Sequence, residues 1–337
     1  MRFALGGTQA TRTTTSLAAD VNPAVSGQPV TLTATVAAAA GTPAGTVTFQ
    51  DGGRTLGSSP VNATGQATLS VALGAGSHSL TASFVGTSAF AASTSAALTG
   101  VVNRAATTVA ATTSANPTVV GQPVVFTVTV SAVAPGVGTP TGTVTFLAGS
   151  TSLGSAALDA SRRATFSIAF STAGSHIIQA VYNGDSNFAT SGTNVIQTVN
   201  KAKTQTVLVV TPAVCVAGQT VLLQVTVQAI APETGVPGGS VTLLDGKTPI
   251  GSPVPLSAGI ASLSVNSLST GSHTLRTIYS GDADYLASAS ARRGKNRSRQ
   301  PSPDRGAGSA ISAPRDHDHG SEDGAERAAQ NCRSDGR

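Results

Sequence analysis

The chain has 337 residues, room for two or three domains of roughly 100–150 residues each, with 40% hydrophobic, 4% aromatic and 10% charged residues and no tryptophan. Its cores must be small and aliphatic, and the abundance of Thr, Ser, Gly and Val favours short strands and tight turns over helices. Residues 1–290 carry 10 basic and 8 acidic side chains and residues 291–337 carry 10 and 7, so the body lacks the clustered Lys/Arg face that nucleic acid requires.

In chain order, the start MRFALGGTQATRTTT has an apolar run too short for a signal-peptide core, and residues 1–11 read as unstructured. Either the protein stays inside the cell or this sequence lacks the native leader. No stretch of eighteen apolar residues follows, so no membrane span is expected. Strands are then expected near 13–20, 29–38, 45–51, 54–58, 66–73, 78–85 and 91–101. In PVTLTATV the apolar Val30, Leu32, Ala34 and Val36 alternate with Thr, the signature of a strand with one buried face. Gly, Pro, Asn and Asp punctuate the runs as turns require.

The same order of runs then repeats twice. GTPAGTVTFQDG at 41 returns as GTPTGTVTFLAG at 138 and GVPGGSVTLLDG at 235. SGQPVTLTATV at 26 returns as VGQPVVFTVTV at 120 and AGQTVLLQVTV at 217. GSHSLTASFVGTSAF, GSHIIQAVYNGDSNF and GSHTLRTIYSGDADY form a third set, with His78, His176 and His273 spaced 98 and 97 residues apart. A period of that length is a whole domain rather than a solenoid unit. Seven short alternating strands per unit, with turn signals every 8 to 12 residues, indicate an all-β architecture of three tandem immunoglobulin-like sandwiches. The expected boundaries are 12–103, 104–201 and 202–290. The joints around Arg104 and around Lys201 and Lys203 are short and lack Gly-Ser runs. With sandwiches on the order of 30–40 Å long, the expectation is a monomeric rod of roughly 100 Å or more.

The ordered motifs GQ[PT]V, GTPxGTVTF and GSHxLxAxYxGDxxF resemble the bacterial Ig-like domain repeat family of the group-3 type, in three copies over residues 12 to about 290. The resemblance implies an extracellular or cell-surface protein whose domains act as spacer or adhesive modules. It also implies partners among cell-wall polysaccharide or surface proteins. The alternative is an accessory carbohydrate- or cell-wall-binding module of a larger secreted enzyme. Repeat 1 departs from the pattern, with Val85, Thr87 and Ala89 where the others have Asn183 or Ser280, Asp185 or Asp282, and Asn187 or Asp284.

The candidate sites read as structure rather than chemistry. His176 opens a strand and Asp185 lies nine residues on, roughly 30 Å away in extended chain, which excludes a dyad between them. The three histidines therefore read as turn residues, hydrogen-bonded to a nearby carbonyl or solvated. Asp185, Asn187, Asp282 and Asp284 are the residues a calcium ion would use, but each copy offers two or three oxygens where calcium wants six to eight. A structural turn is the preferred reading, with Gly184 and Gly281 at positive φ, Asp as the cap, and Tyr182 or Tyr279 on the preceding strand. Phe49, Phe84 and Phe146 fall on inward positions, so they are core rather than sugar platforms. No cofactor is implied, and no triad, paired-carboxylate site or phosphate loop marks an enzyme.

Two cysteines, Cys215 in a loop insertion and Cys332 in the tail, make no disulfide framework. From Ala291 alternation stops and RRGKNRSR begins a mixed-charge stretch expected to be disordered. Its opening basic run could be taken for a nucleic-acid patch, but acidic residues soon neutralise it. DHDH at 316–319 is at most a weak metal contact. An Arg- and Gly-rich, strand-free stretch is also what a GC-rich gene yields when translated out of frame.

Overall fold

The computed structural model describes residues 9–212, 215–216 and 218–298, all strands, turns and loops. The first repeat contains β1 (Thr13–Ala19), β2 (Ala24–Val25), β3 (Pro29–Ala38), β4 (Thr46–Asp51) and β5 (Arg54–Pro60). It closes with β6 (Gln66–Ala72), β7 (Gly76–Phe84), β8 (Ser93–Thr94) and β9 (Leu98–Asn103). The second runs through β10 (Thr107–Thr113), β11 (Thr118–Val119), β12 (Pro123–Ala132) and β13 (Thr143–Ala148). It continues with β14 (Thr151–Ala157), β15 (Arg163–Ala169), β16 (Gly174–Tyr182) and β17 (Ser191–Asn200). The third holds β18 (Thr204–Thr211), β19 (Cys215–Val216), β20 (Val221–Ala229), β21 (Ser240–Asp245) and β22 (Thr248–Pro255). It ends with β23 (Ile260–Val265), β24 (Gly271–Tyr279), β25 (Ser288–Ala289) and β26 (Arg293–Ser298).

Each repeat is a two-sheet sandwich with the same strand order. The smaller sheets run β1-β3-β6, β10-β12-β15 and β18-β20-β23. The larger sheets run β2-β9-β7-β4-β5, β11-β17-β16-β13-β14 and β19-β26-β24-β21-β22. The short first strand of each larger sheet pairs in parallel with the last long strand. All other pairings between named strands are antiparallel, as a sandwich of hairpins and Greek-key crossings requires.

Alternation places the cores. In β3, Val30, Leu32, Ala34 and Val36 are buried and face Val47, Phe49, Leu80, Ala82 and Phe84 of the larger sheet. In the second repeat Phe146 stacks on Phe166 with ring centroids 4.8 Å apart, and Phe126 meets Phe146 at 6.4 Å. With no tryptophan, these few rings fill the middle of the sandwich, and Val, Ala and Leu fill the remainder.

Three sequence expectations change. The strand expected at 91–101 is split into β8 and β9, because the Ser95 hydroxyl takes the ladder position of a carbonyl. Its Oγ accepts from the Ala82 amide at 3.0 Å. Ser290 does the same to the Thr277 amide at 3.0 Å. Cys215 lies not in a loop but in β19, in register with Arg297. Strand structure also does not stop at 291, since β26 pairs with β24 from Leu275↔Arg293 to Gly271↔Arg297. The rest of the tail, including 316–319 and Cys332, lies outside the described residues, as does the start at 1–8.

Phe146→Ala removes the ring that contacts both Phe126 and Phe166 in the second core. It is expected to lower that repeat's stability by about 3–5 kcal/mol, read by denaturant unfolding of the full chain. A loss below about 1 kcal/mol would mean the ring is not central to that core.

Candidate functional site

The family motif GSHxLxAxYxGDxxF builds two features at opposite ends of one strand. At the start of β7, His78 Nδ1 lies 2.7 Å from Asp51 Oδ2 and its Nε2 lies 2.9 Å from the Gly74 carbonyl oxygen. The same carboxylate accepts from the Ser79 amide at 3.0 Å. The third repeat repeats this geometry. His273 Nδ1 sits 2.6 Å from Asp245 Oδ2, its Nε2 lies 2.9 Å from Ser269 O, and Thr274 N donates to Asp245 at 2.9 Å.

The second repeat keeps the carbonyl contact, His176 Nε2 to Thr172 O at 2.9 Å. Ala148 occupies the position of Asp51 and Asp245 there, and the imidazole packs on Phe170 with centroids 4.7 Å apart. The carboxylate partners come from β4 and β21, the neighbouring strands, not from the histidine's own strand. Searching along one strand misses them. The visible signal was Asp51 and Asp245 at equivalent places in GTVTFQDG and GSVTLLDG, each at the turn that the next hairpin brings beside the histidine.

This His–Asp pair is not half of a hydrolase triad. A triad histidine offers its second nitrogen to a nucleophile's hydroxyl, whereas Nε2 here meets a backbone carbonyl in all three repeats. In repeats 1 and 3 both ring nitrogens face acceptors, an arrangement only the imidazolium satisfies fully. Burial works against charging His78. The hydrogen bond the ring donates to Asp51, the Gly74 carbonyl and the Asp51 charge outweigh burial and hold the imidazole above its ordinary 6.5. Burial likewise opposes ionisation of Asp245, yet its bonds to His273 and Thr274 keep the carboxyl below its usual range.

At the far end of the strand, Gly184 and Gly281 make the turn at φ of +78° and +75°. A Cβ there would lie 2.8 Å from Phe188 O and 2.9 Å from Tyr285 O, so the turn admits only glycine. Asp185 caps it, with Oδ1 accepting from the Asn187 and Phe188 amides at 2.8 Å each. Its Oδ2 accepts from the Thr141 amide and hydroxyl at 2.8 and 2.7 Å. Asp282 does the same with the Asp284 and Tyr285 amides at 2.8 Å and Gly238 at 2.7 Å.

Burial disfavours the charge on Asp185, but these donors together hold its carboxyl below the ordinary value. Asp282 is lowered against burial in the same way. Tyr182 is buried beside Asp185, and burial together with that negative charge pushes its phenol up to about 12. Tyr279 is raised by burial and by Asp282. Both phenols stay neutral and serve as core. In repeat 1, Thr87 takes over part of the cap, its hydroxyl accepting from the Phe90 amide at 3.2 Å.

The remaining polar residue of the turn faces the preceding repeat. Asn187 Oδ1 accepts from the Ala75 amide at 2.9 Å, 112 residues earlier. Asp284 Oδ1 accepts from the Ala173 amide at 2.7 Å, 111 residues earlier. The two acceptors and the two amides are equivalent positions, so one clasp joins repeat 1 to repeat 2 and repeat 2 to repeat 3. Repeat 1, which follows no other repeat in this sequence, has Ala89 at the clasp position.

The clasp seats further contacts. Val137 N donates to Ser26 O at 3.3 Å across the first junction, and Thr234 Oγ1 donates to Gly121 O at 3.3 Å across the second. A Cβ on Gly27 would run into Val137 O, and one on Gly121 into Thr234, whereas one on Gly218 of repeat 3 would meet nothing within 4 Å. Asp185 and Asp282 thus use both carboxylate oxygens, and Asn187 and Asp284 their Oδ1, on backbone donors. No group of three or more His, Cys, Asp or Glu side chains is gathered to hold a metal among the described residues.

Three tandem all-β sandwiches with the same strand order, joined by a repeated clasp, define a multidomain immunoglobulin-like repeat protein. The family model for the bacterial Ig-like domain (group 3) matches residues 9–103, 111–200 and 208–293, and the chain belongs to that family. No curated protein matches the chain. Among solved structures, the fibronectin(III)-like modules of Clostridium thermocellum CbhA are 20% identical, covering 54% of this chain and 93% of theirs with a TM-score of 0.25. The Escherichia coli adhesin FdeC is 16% identical, covering 88% and 100% with a TM-score of 0.29. The Yersinia pseudotuberculosis adhesin InvE is 18% identical, covering 55% and 58% with a TM-score of 0.33. Likenesses at these values do not bear on function.

Asn187→Ala is expected to speed hydrogen exchange of the Ala75 amide and to cost about 0.5–1.5 kcal/mol at the first junction, leaving the Ala173 amide unchanged. Unaltered protection of Ala75 would remove the clasp. The His78 pair has the sign of a raised histidine pKa. Its stabilisation is fully present below about 6.5, provided Asp51 is ionised, and is lost as pH rises through the folded value. The first-repeat melting difference between wild type and His78→Gln is therefore expected to be about 1–5 °C at acidic pH 5.5 and to shrink by pH 8.5. Growth of the difference with pH would refute the ion pair.

Proposed function

We propose that the chain is a non-enzymatic structural or adhesive spacer of a bacterial surface or secreted protein, working as three serial units held in fixed succession. The observation that carries this reading is the repeated clasp, Asn187 to Ala75 and Asp284 to Ala173, which spends the polar residues of the family motif on joining neighbours. The histidines support it as well, since each directs Nε2 at a backbone carbonyl of its own turn. Membership of the bacterial Ig-like family supports an extracellular or surface setting. No helix among the described residues is long and apolar enough to cross a membrane.

Pulled from both ends, the full chain is expected to unfold in three steps, each lengthening it by about 30 nm, the extended length of roughly 90 residues. In parallel, the full chain is expected to show no saturable retention on purified cell-wall polysaccharide. Saturable retention that is lost when exposed loop residues are substituted would overturn the spacer reading and make the chain an accessory wall-binding module.

A further inference from the structure

The carbonyl that each motif histidine meets and the amide that clasps the next repeat belong to one peptide unit. In the turn before β7, Gly74 O lies 2.9 Å from His78 Nε2, and the amide of the same peptide, Ala75 N, donates to Asn187 Oδ1 at 2.9 Å. In the turn before β16, Thr172 O lies 2.9 Å from His176 Nε2, and Ala173 N donates to Asp284 Oδ1 at 2.7 Å. A ring nitrogen facing a carbonyl must donate. A continuous chain of hydrogen bonds therefore runs from the imidazole, through the peptide, to the following repeat.

The same turn carries the other half of each junction. Leu73 O accepts from the Gly27 amide at 3.1 Å, and Phe170 O accepts from the Gly121 amide at 2.9 Å. These are the glycines on which the following repeat closes, Gly27 against Val137 and Gly121 against Thr234. Leu73 and Phe170 are themselves buried, which anchors the turn in its own core. In the third repeat His273 Nε2 lies 2.9 Å from Ser269 O, so the peptide is held in the same way where the described residues contain no following repeat. The histidine thus sets the turn without help from a clasp.

Each chain of bonds includes one carboxylate, at opposite ends. In the first, Asp51 lies at the histidine and Asn187 is the clasp acceptor. In the second, Ala148 stands in the place of Asp51 and the clasp acceptor is Asp284. Hydrogen bonds in series polarise one another, so a donor on the carbonyl makes the amide of the same peptide a stronger donor. Fixing that peptide beforehand also removes part of the cost of docking a neighbour.

We propose that the motif histidine is the positioning residue of the junction: His78 and His176 hold and polarise the peptide whose amide binds a side-chain oxygen of the following repeat. The interaction surface at this end of a sandwich is a histidine-backed N–H. The partner it fits is a sandwich with Asn or Asp two residues after the Asp that caps its glycine turn, as Asn187 follows Asp185 and Asp284 follows Asp282. This role is the same whether the three sandwiches act as a spacer or as a wall-binding module.

The test is hydrogen exchange of the full chain, followed site by site by NMR at constant pH. His176→Leu keeps an apolar side chain against Phe170 but removes the donor. It is expected to speed exchange of the Ala173 amide about tenfold and to leave the Ala75 amide unchanged. His176→Gln, which restores an N–H at similar reach, is expected to stay within about threefold of wild type. Adding Asp284→Ala to His176→Leu is expected to give less than the product of the two single effects, because both act on one chain of bonds. Asp284→Ala alone leaves the histidine in place and decides the matter even if His176→Leu fails to fold. It is expected to speed exchange of the His176 Nε2 proton at least about threefold, since coupling is reciprocal. Unchanged exchange of that proton in Asp284→Ala would overturn the proposal. So would unchanged Ala173 protection in folded His176→Leu, a Gln variant no better than Leu, or fully multiplicative effects in the double variant.

Discussion

A sandwich assembled almost entirely from valine, alanine, leucine and a few phenylalanines is held by one constraint: every long strand must keep its inward alternation in register against the opposite sheet. In each repeat a three-stranded sheet covers a larger one, and large side chains are too few to bridge a gap. The consequences run through the molecule. Val30, Leu32, Ala34 and Val36 are buried to within 3% exposure although each is small, because the period of two never slips along β3. Gly57 and Gly154, by contrast, stand where a Cβ would press on Leu69 and Phe166 of the facing layer.

Most of the architecture was legible because it depends on that local period. The alternating runs, the turn residues between them and the 97-residue recurrence together specify strands, faces and copy number. The pieces that escaped depend on atoms distant in sequence. Splitting of the strand at Ser95 is decided by a hydroxyl standing in for a carbonyl opposite Ala82, and nothing in STSAALTG announces it. Pairing of His78 with Asp51 spans 27 residues and two strands, and the nearer-looking Asp185 for His176 lies at the wrong end of the strand. Asn187 reaches Ala75 across 112 residues, so its role could not be found inside one copy. The difference between copies held the only hint, because Ala89 replaces it in the first.

Variation among the copies also separates what the fold needs from what a junction needs. The carbonyl contact of the histidine persists in all three repeats, whereas its carboxylate is lost in the second, where Ala148 stands and Phe170 packs against the ring. A charge-assisted bond at one end of the sheet is therefore exchangeable for an aromatic contact of similar reach. The turn after the strand needs its glycine everywhere, but its cap can be a carboxylate or, in repeat 1, the Thr87 hydroxyl.

The clasp behaves differently, because it varies with position along the chain rather than with packing inside a repeat. Asn187 and Asp284 occur in the two repeats that follow another, and the glycines whose Cβ would strike a neighbour, Gly27 and Gly121, occur in the two that precede one. A junction of this kind has a direction. The following repeat brings a side-chain acceptor, and the preceding repeat brings an amide in the turn between its fifth and sixth long strands and a glycine that lets the backbones touch. Neither half is needed for a sandwich to fold, since Ala89 and the open surroundings of Gly218 leave the first and third repeats intact. The polar residues that first look like reactive groups in GDSNF and GDADY are thus divided between closing one turn and holding the domain before it. That division is why equivalent residues recur in the two repeats that follow another.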